Sequence, residues 1–499
     1  MIKIAIIELG MMQIRLSVLD IAQEQYFEIR HEYSEFINLD QHIKENNGII
    51  KQSKINEVIE IIDMFKMVAR SKGAERCHCY ASAQLSSCKN AKSIMNEINK
   101  AVSLEFQRMT VAEEMSALHL SIINTLEVGK GLIVAVSAST TTLISFSRRI
   151  ILGSAVIPIG AGNWTTEKEF FNELKKVDDS IKFMDSETKI IGSGTIFRSF
   201  ARLSRKKKKY PVAINHGYEA NQNDFEDISK FLKELNMDRD ARLKGISHAS
   251  VGFLIDGMEI VKMIMNWTNL SNIIINDKSR ATGLGFNLVL PITNTSPVDV
   301  FNYSVDKTLW ANGLDSKSAW SHLSIATSLW KQLRIVHRLD RKYMKVLKTA
   351  TLFYNFGRKI NSSCYEPVNY YALLFSGLNG LSNNELVLAA FVASCKNWEY
   401  FSLAEWVKYK DILDTKDLDV VRKLALVAAM SEAINIRVND DIEDIICDIL
   451  GDSVIIKLVI DKDVKNFDID ITKTKIEIFY AKKFAKEFEK VFGRKVEIL

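Results

Sequence analysis

Residues 2–10, IKIAIIELG, form a nearly continuous apolar, β-branched run, the pattern of a central strand buried on both faces. MMQIRLSVLDI and YFEIRHEYSEF predict a second and a third strand, and apolar residues at helical spacing predict a helix over 53–71, with Gly73 near its end. CHCYASAQL reads as strand and turn, and AKSIMNEINKAVSLEF as a further helix. The order β-β-β-α-β-α is that of an α/β half-domain. The rhythm restarts at GLIVAVSASTTTLISFSRR (131–149) and GSAVIPIGAG (153–162), so two halves in tandem predict a two-lobed fold with a ligand cleft between the lobes. From about residue 303 the period is helical, and 315–445 carries no strand-like alternation. After 446, SVIIKLVI, FDIDI and KIEIFY alternate as strands do, and AKKFAKEFEKVFG closes the chain as a helix. The expected divisions are 1–122 and 123–302 for the lobes, 303–445 for a helical domain and 446–499 for a small α+β domain.

Composition changes this picture little. A chain of 499 residues, 47% apolar and 25% charged, has ordinary globular usage and enough length for several cores. The net charge of +5 mildly favours an anionic partner. Six scattered cysteines argue for reduced thiols and a cytoplasmic setting. No apolar stretch approaches the length of a membrane span, and MIKIAIIELG reads as a buried strand, not a signal peptide.

Several stretches carry candidate chemistry, each with a plain structural alternative. GLIVAVSASTTTLI (131–144) is either a β-hairpin or a phosphate loop without its usual chemistry. Glu113, in AEEMSALHL, is either a general base or a helix-start carboxylate favoured by the helix dipole. Gly192-Ser193-Gly194-Thr195 precedes a helical run and is either an anion cradle or a strand–helix turn. Cys77-His78-Cys79 on a strand points both thiols one way and the imidazole the other, which favours packing over metal binding, and His216 and His322 read as structural. The basic run Arg205, Lys206, Lys207, Lys208, Lys209 is either a solvated face or a polyanion contact.

The chain resembles the exopolyphosphatase/guanosine pentaphosphatase family. ELGMMQIRL (8–16) is similar to that family's first phosphate loop, Asp-Ile-Gly-Ser-Asn-Ser-x-Arg-Leu: Gly10, Arg15 and Leu16 match, and Glu8 stands for the aspartate. ASAQLSSCKN resembles Ala-Thr-Ser-Ala-Leu-Arg-x-Ala-Lys-Asn, with Ser86 in place of the arginine. AEEMSALHL keeps the acid pair of Glu-Glu-Ala-Arg-Leu as Glu113 and Glu114. IPIGAG, GSGTIFRSFARL and YPVAINHGY are further local likenesses. GLIVAVSASTTTLI stands where the family has Asp-Ile-Gly-Gly-Gly-Ser-Thr-Glu-Leu: Ala135 replaces the aspartate, Ser137, Ala138 and Ser139 the glycines, and Thr142 the glutamate, while Thr140, Thr141 and Leu143 remain close.

The resemblance implies two ribonuclease H-like lobes of the actin/hexokinase/Hsp70 type, then an all-helical HD-like domain and the small α+β domain. It implies phosphoanhydride hydrolysis with Mg²⁺ as cofactor, polyphosphate or a guanosine polyphosphate as ligand rather than nucleic acid, and a homodimer. By this likeness Gly10, Arg15, Thr140, Thr141 and 192–195 would bind phosphate, Glu8 would be the remaining metal ligand and Glu113 the base. In the helical region TATLFYNFGRKI resembles the family's His-Asp motif, with Tyr354 and Asn355 for the metal-binding pair. His322 keeps the first histidine position, Lys396 stands for a later one, and Glu432 and Asn435 stand for aspartates. Splitting a phosphoanhydride requires charge neutralisation on the transferred phosphoryl and an oriented water. Loss of the loop acids and glycines therefore ranks a catalytically impaired phosphate binder first, a working hydrolase using Glu8 and Glu113 second, and a non-catalytic scaffold third.

Overall fold

The computed structural model describes residues 1–22, 26–177, 181, 185–234, 248–289, 299–438, 442–460 and 472–499. The chain divides into two compact units, Met1–Val300 and Phe301–Leu499.

In the first unit, β1 (Ile2–Leu9), β2 (Gln13–Ala22) and β3 (Tyr26–Phe36) form an antiparallel meander. Helices α1 (Leu39–Glu45) and α2 (Gln52–Ser71) lead to β4 (Arg76–Ala81), which joins β1 in parallel. Then α3 (Ala91–Val102), β5 (Phe106–Arg108) and α4 (Val111–Ile123) complete a sheet of order β3-β2-β1-β4-β5. Ala5, Ile7 and Leu9 share one core with Ile55, Val58 and Ile62 of α2 and Ile94 and Ile98 of α3. Both faces of β1 are covered, which is why its run is apolar without alternation. The helix expected through AVSLEF stops earlier: Ser103 turns left-handed at φ 51°, and the Asn99 side chain takes the Phe106 amide, freeing Phe106 to start β5.

The same plan follows again. β6 (Lys130–Val136), β7 (Thr141–Ser147) and β8 (Ile150–Ile157) form a second meander, so GLIVAVSASTTTLI is a hairpin. After α5 (Glu167–Lys175) come β9 (Lys189–Ser193), α6 (Thr195–Lys207), β10 (Glu219–Asn221), α7 (Gln222–Lys233), α8 (His248–Thr268) and β11 (Asn272–Asn276), giving the order β10-β11-β9-β6-β7-β8. Then α9 (Arg280–Val289) returns to pack on α4. The approach is close enough that a Cβ on Gly283 would lie 1.7 Å from the Ala117 carbonyl oxygen, and Phe286 meets Phe27 of β3 edge-on at 5.0 Å. The last helix of the second lobe is thereby fixed to the first.

The second unit contains α10 (Val300–Ala311) from its second residue on, α11 (Ser316–Gln332), α12 (Met344–Leu352), α13 (Glu366–Leu374), α14 (Asn383–Ser394) and α15 (Asp417–Ile434). Residues Leu386 to Ala393 of α14 are all buried, the mark of a central helix. Strands β12 (Ile442–Leu450) and β13 (Ser453–Ile460) form a hairpin, with β14 (Lys495–Ile498) parallel to β13. KIEIFY is not a strand: it lies in α16 (Thr472–Lys482), where Glu477 is fully buried and receives Arg437 Nε at 2.7 Å. FDIDI lies outside the described residues. Helix α17 (Ala485–Phe492) holds part of the expected closing helix. No described helix is long and apolar enough to cross a membrane.

Candidate functional site

The C-terminal end of β1 meets the start of α9 at a charged cluster. Glu8 is 3% exposed. Its Oε1 accepts from Arg280 Nε at 2.6 Å, while its Oε2 is buried without a partner. Arg280 Nη1 donates to Glu114 Oε1 at 2.7 Å, and the Ala83 amide donates to the same oxygen at 3.1 Å. One guanidinium thus bridges two carboxylates. Burial works against the Arg280 charge, but Glu8 and Glu114 outweigh it and hold its pKa above the ordinary value. Arg15 lies directly opposite Glu8 in the β1–β2 ladder. Burial lowers its pKa; Glu8 acts against that, while Arg198 and Arg280 add to it. Three arginines and two acids from widely separated segments therefore converge here. Gly10 forms the intervening β1–β2 turn, its amide donating to Gln13 O at 3.1 Å.

Glu113 has a different place. Thr110 and Glu113 form a reciprocal capping box on α4: Glu113 Oε2 accepts from the Thr110 hydroxyl at 2.9 Å and from its amide at 2.6 Å. These bonds, the backbone one foremost, lower the Glu113 pKa, which makes it a weaker base. The acid turned toward Glu8's ion pair is Glu114, one residue on.

The 137–140 turn is bonded to itself. The Ser137 amide donates to Thr140 O at 2.9 Å, and the Thr140 amide donates to Ser137 Oγ at 3.1 Å. The Ser137 and Ala138 carbonyls accept from the Ala161 and Gly162 amides at 2.9 and 2.7 Å. None of residues 137–140 has a positive φ, so the turn needs no glycine. Thr140 Oγ1 accepts from Gln84 Nε2 at 3.0 Å, a bond from one lobe to the other. Thr141 points the opposite way: it is fully buried, and its hydroxyl donates to Ile159 O at 2.7 Å.

At the end of β9, Gly192 is a packing residue: a Cβ there would lie 2.2 Å from the Phe197 ring. Ser193 Oγ accepts from the buried Asn276 amide at 3.1 Å. Gly194, at φ 105°, caps α6, and exposed Thr195 accepts from Arg198 Nη2 at 3.3 Å. Gly194, Thr195 and Arg198 are the members of this group at the helix N-terminus. The 205–209 run is at its other end, about 20 Å away along a 13-residue helix. There Arg205 Nη1 donates to Val212 O at 3.0 Å, Lys207 Nζ to Asp227 O at 3.0 Å, and Lys208 pairs with Asp224 at 2.6 Å. Lys206 is engaged as well, and Lys209 takes a left-handed turn at φ 52°. The run completes the C-terminus of α6 and ties it to α7.

Of the histidines, His216 spans Thr125 O at 3.2 Å and the Asp277 amide at 3.3 Å, and burial, with Lys278, pushes its pKa down to about 3. Cys79 is buried and its thiol pKa is pushed up to about 12, again by burial. In the second unit, His322 Nε2 contacts Ala428 O at 3.0 Å and Ser431 Oγ at 2.9 Å, with its ring against Tyr354. Glu432 is paired with Arg358 at 3.1 Å and Lys396 at 3.7 Å, and both cations donate to Tyr365 Oη. Asn435 bridges Ser321 and the Ser318 carbonyl.

The Mg²⁺ implied by the resemblance does not fit these donors. Among the described residues no group of three or more His, Cys, Asp or Glu could hold a metal ion. Glu8 and Glu114, the two acids that converge, already share a guanidinium.

A duplicated meander-plus-parallel sheet, twice crossed by helices, with charge gathered between the halves, defines a bilobal α/β protein. The sequence model of the Ppx/GppA phosphatase family matches residues 17–290, more than half of the chain, and the chain belongs to that family. Among solved structures it is similar to an exopolyphosphatase from Cytophaga hutchinsonii at 14% identity and TM-score 0.50, covering 57% of this chain and 97% of that one. It is also similar to the Ppx/GppA member from Aquifex aeolicus at 20% identity and TM-score 0.48, covering 57% and 96%. Identities this low bear on fold alone. No curated protein matches the chain.

Proposed function

We propose that this protein is a catalytically impaired member of its family that binds a phosphate-rich anion, polyphosphate or a guanosine polyphosphate, between its two lobes. The observation that carries this reading is the Glu8–Arg280–Glu114 bridge. Hydrolysis of a phosphoanhydride asks for charge neutralisation at the phosphoryl and a positioned water. Glu8 and Glu114 are held by Arg280, Glu113 is held by Thr110, and the Ser137 and Thr140 amides are spent within their own turn. Anion binding asks for less. Arg15 and Arg198 and the amide end of α6 supply positive charge and donors in one place.

The test pairs two measurements on the full chain. Phosphate release from polyphosphate and guanosine pentaphosphate, with Mg²⁺ or Mn²⁺, is expected to lie at least about a thousandfold below ordinary turnover, equivalent to about 4 kcal/mol of lost transition-state stabilisation. Calorimetric titration with the same compounds is expected to show saturable binding. Turnover within tenfold of ordinary enzymes overturns the impairment, and absence of binding at low salt overturns the ligand assignment.

A further inference from the structure

We propose that Arg280 is a built-in cation: its guanidinium holds the position between Glu8 and Glu114 that a divalent ion would otherwise take, and it makes the first unit indifferent to metal. Two carboxylates from different elements, β1 and α4, converge within 2.6 and 2.7 Å of two nitrogens of one guanidinium. Glu8 is almost wholly buried, and the second oxygen of its carboxylate has no partner. An isolated buried carboxylate is costly, so the pair requires a positive charge close by. A divalent ion and a guanidinium both meet that need. The ion takes several oxygens at short range, whereas the guanidinium takes one oxygen per N–H and leaves Glu8 Oε2 unused. Arg280 opens α9, the helix whose glycine contact seats it against α4, the helix that carries Glu114, so the charge is delivered by the fold itself. The anionic-ligand reading proposed above gains a corollary: the ligand is received without metal, because the acids that would repel it are neutralised in cis.

The experiment is thermal unfolding of the full chain in EDTA, in EDTA with tripolyphosphate and in 5 mM Mn²⁺, for the wild type, Arg280→Ala and Arg280→Ala/Glu8→Gln. The wild type is expected to shift by less than about 1 °C with Mn²⁺. Arg280→Ala is expected to be less stable in EDTA and to gain about 3 °C or more with Mn²⁺, because the freed acid pair takes the ion and ligand linkage raises Tm. The Glu8→Gln double variant is expected to lose that gain. An Arg280→Ala protein that folds and gains nothing overturns the proposal. A wild type stabilised by Mn²⁺ by about 3 °C or more also overturns it, and this arm stands even if Arg280→Ala does not fold. Absence of any tripolyphosphate response in the wild type removes the ligand reading alone, since the Mn²⁺ comparison is read without it.

Discussion

Ala135 and Thr142 lie directly opposite each other across the β6–β7 ladder, one pair in from the turn. These are the positions at which the family resemblance places the two loop acids. Opposed residues in an antiparallel pair have Cβ atoms about 5 Å apart, so like charges there repel. Ala135→Asp and Thr142→Glu together are expected to destabilise more than the sum of the single changes, by about 0.5–1 kcal/mol in a double-mutant cycle read by urea unfolding. Mg²⁺ is expected to relieve the excess. The turn sequence stays as it is, because residues 137–140 carry no positive φ. Strictly additive single effects with no metal response would mean that the two side chains do not share a space.

Glu113 and Glu114 separate in the same way. Replacing Glu113 by Ala removes half of a capping box and is expected to cost about 1 kcal/mol of stability, with tripolyphosphate binding unchanged. Replacing Glu114 by Ala leaves the Ala83 amide and one Arg280 nitrogen without their acceptor and is expected to cost more, about 2 kcal/mol. Urea unfolding of both variants in one buffer, with titration of each, checks the order. A reversed order would show that the cap, not the ion bridge, holds α4 in place.

The fold was largely legible in the sequence, because burial on both faces leaves an apolar run and a helix face leaves a 3.6-residue period. KIEIFY misled because a short alternating stretch also satisfies a helix when its buried member is a paired acid, here Glu477 with Arg437. The site was half legible. Glu8, Arg15 and Glu114 stand in recognisable phrases, whereas Arg280 lies 272 residues from Glu8 and has no motif around it. Only the return of α9 onto α4 brings it in. Within Thr140-Thr141-Thr142 the pleat decides what composition does not: Thr140 reaches Gln84 while Thr141 is turned into the core.

The basic run offers a third test. Lys207 and Lys208 are paired with Asp227 and Asp224, at the far end of α6 from Gly194. Changing Lys206 through Lys209 to alanine is therefore expected to leave tripolyphosphate affinity within about twofold, since partly neutralised lysines release few counterions. Arg15→Ala or Arg198→Ala is expected to lower affinity at least tenfold, about 1.4 kcal/mol, the scale of one charged hydrogen bond. Titrations at two salt concentrations distinguish the groups. A loss confined to the lysine variant would move the anion site to the C-terminus of α6.

His119 makes the stability of the first unit depend on pH. It sits on α4 against Phe146, 5% exposed, with Nε2 unpartnered. Burial, reinforced by Arg149, pushes its pKa down to about 4 from an ordinary 6.5. The unfolded chain therefore binds a proton that the folded chain refuses between about pH 6.5 and 4. The stabilisation is complete above the unfolded value and is lost as pH falls through that window, levelling off below the folded value. For one group with this shift the loss at pH 4.5 is about 2.5 kcal/mol. His216, with its pKa also depressed, adds a loss of the same sign that extends lower. His119→Leu removes the first contribution and leaves the second, and it strands no hydrogen-bond partner of Nε2, so its cost at pH 7.5 is expected to be small. Urea unfolding at pH 7.5, 5.5 and 4.5 should show the wild type losing about 2.5 kcal/mol more than the variant between pH 7.5 and 4.5, so that the variant becomes the more stable of the two in acid. Parallel curves would mean that His119 accepts its proton in the folded protein and that the acid sensitivity belongs elsewhere.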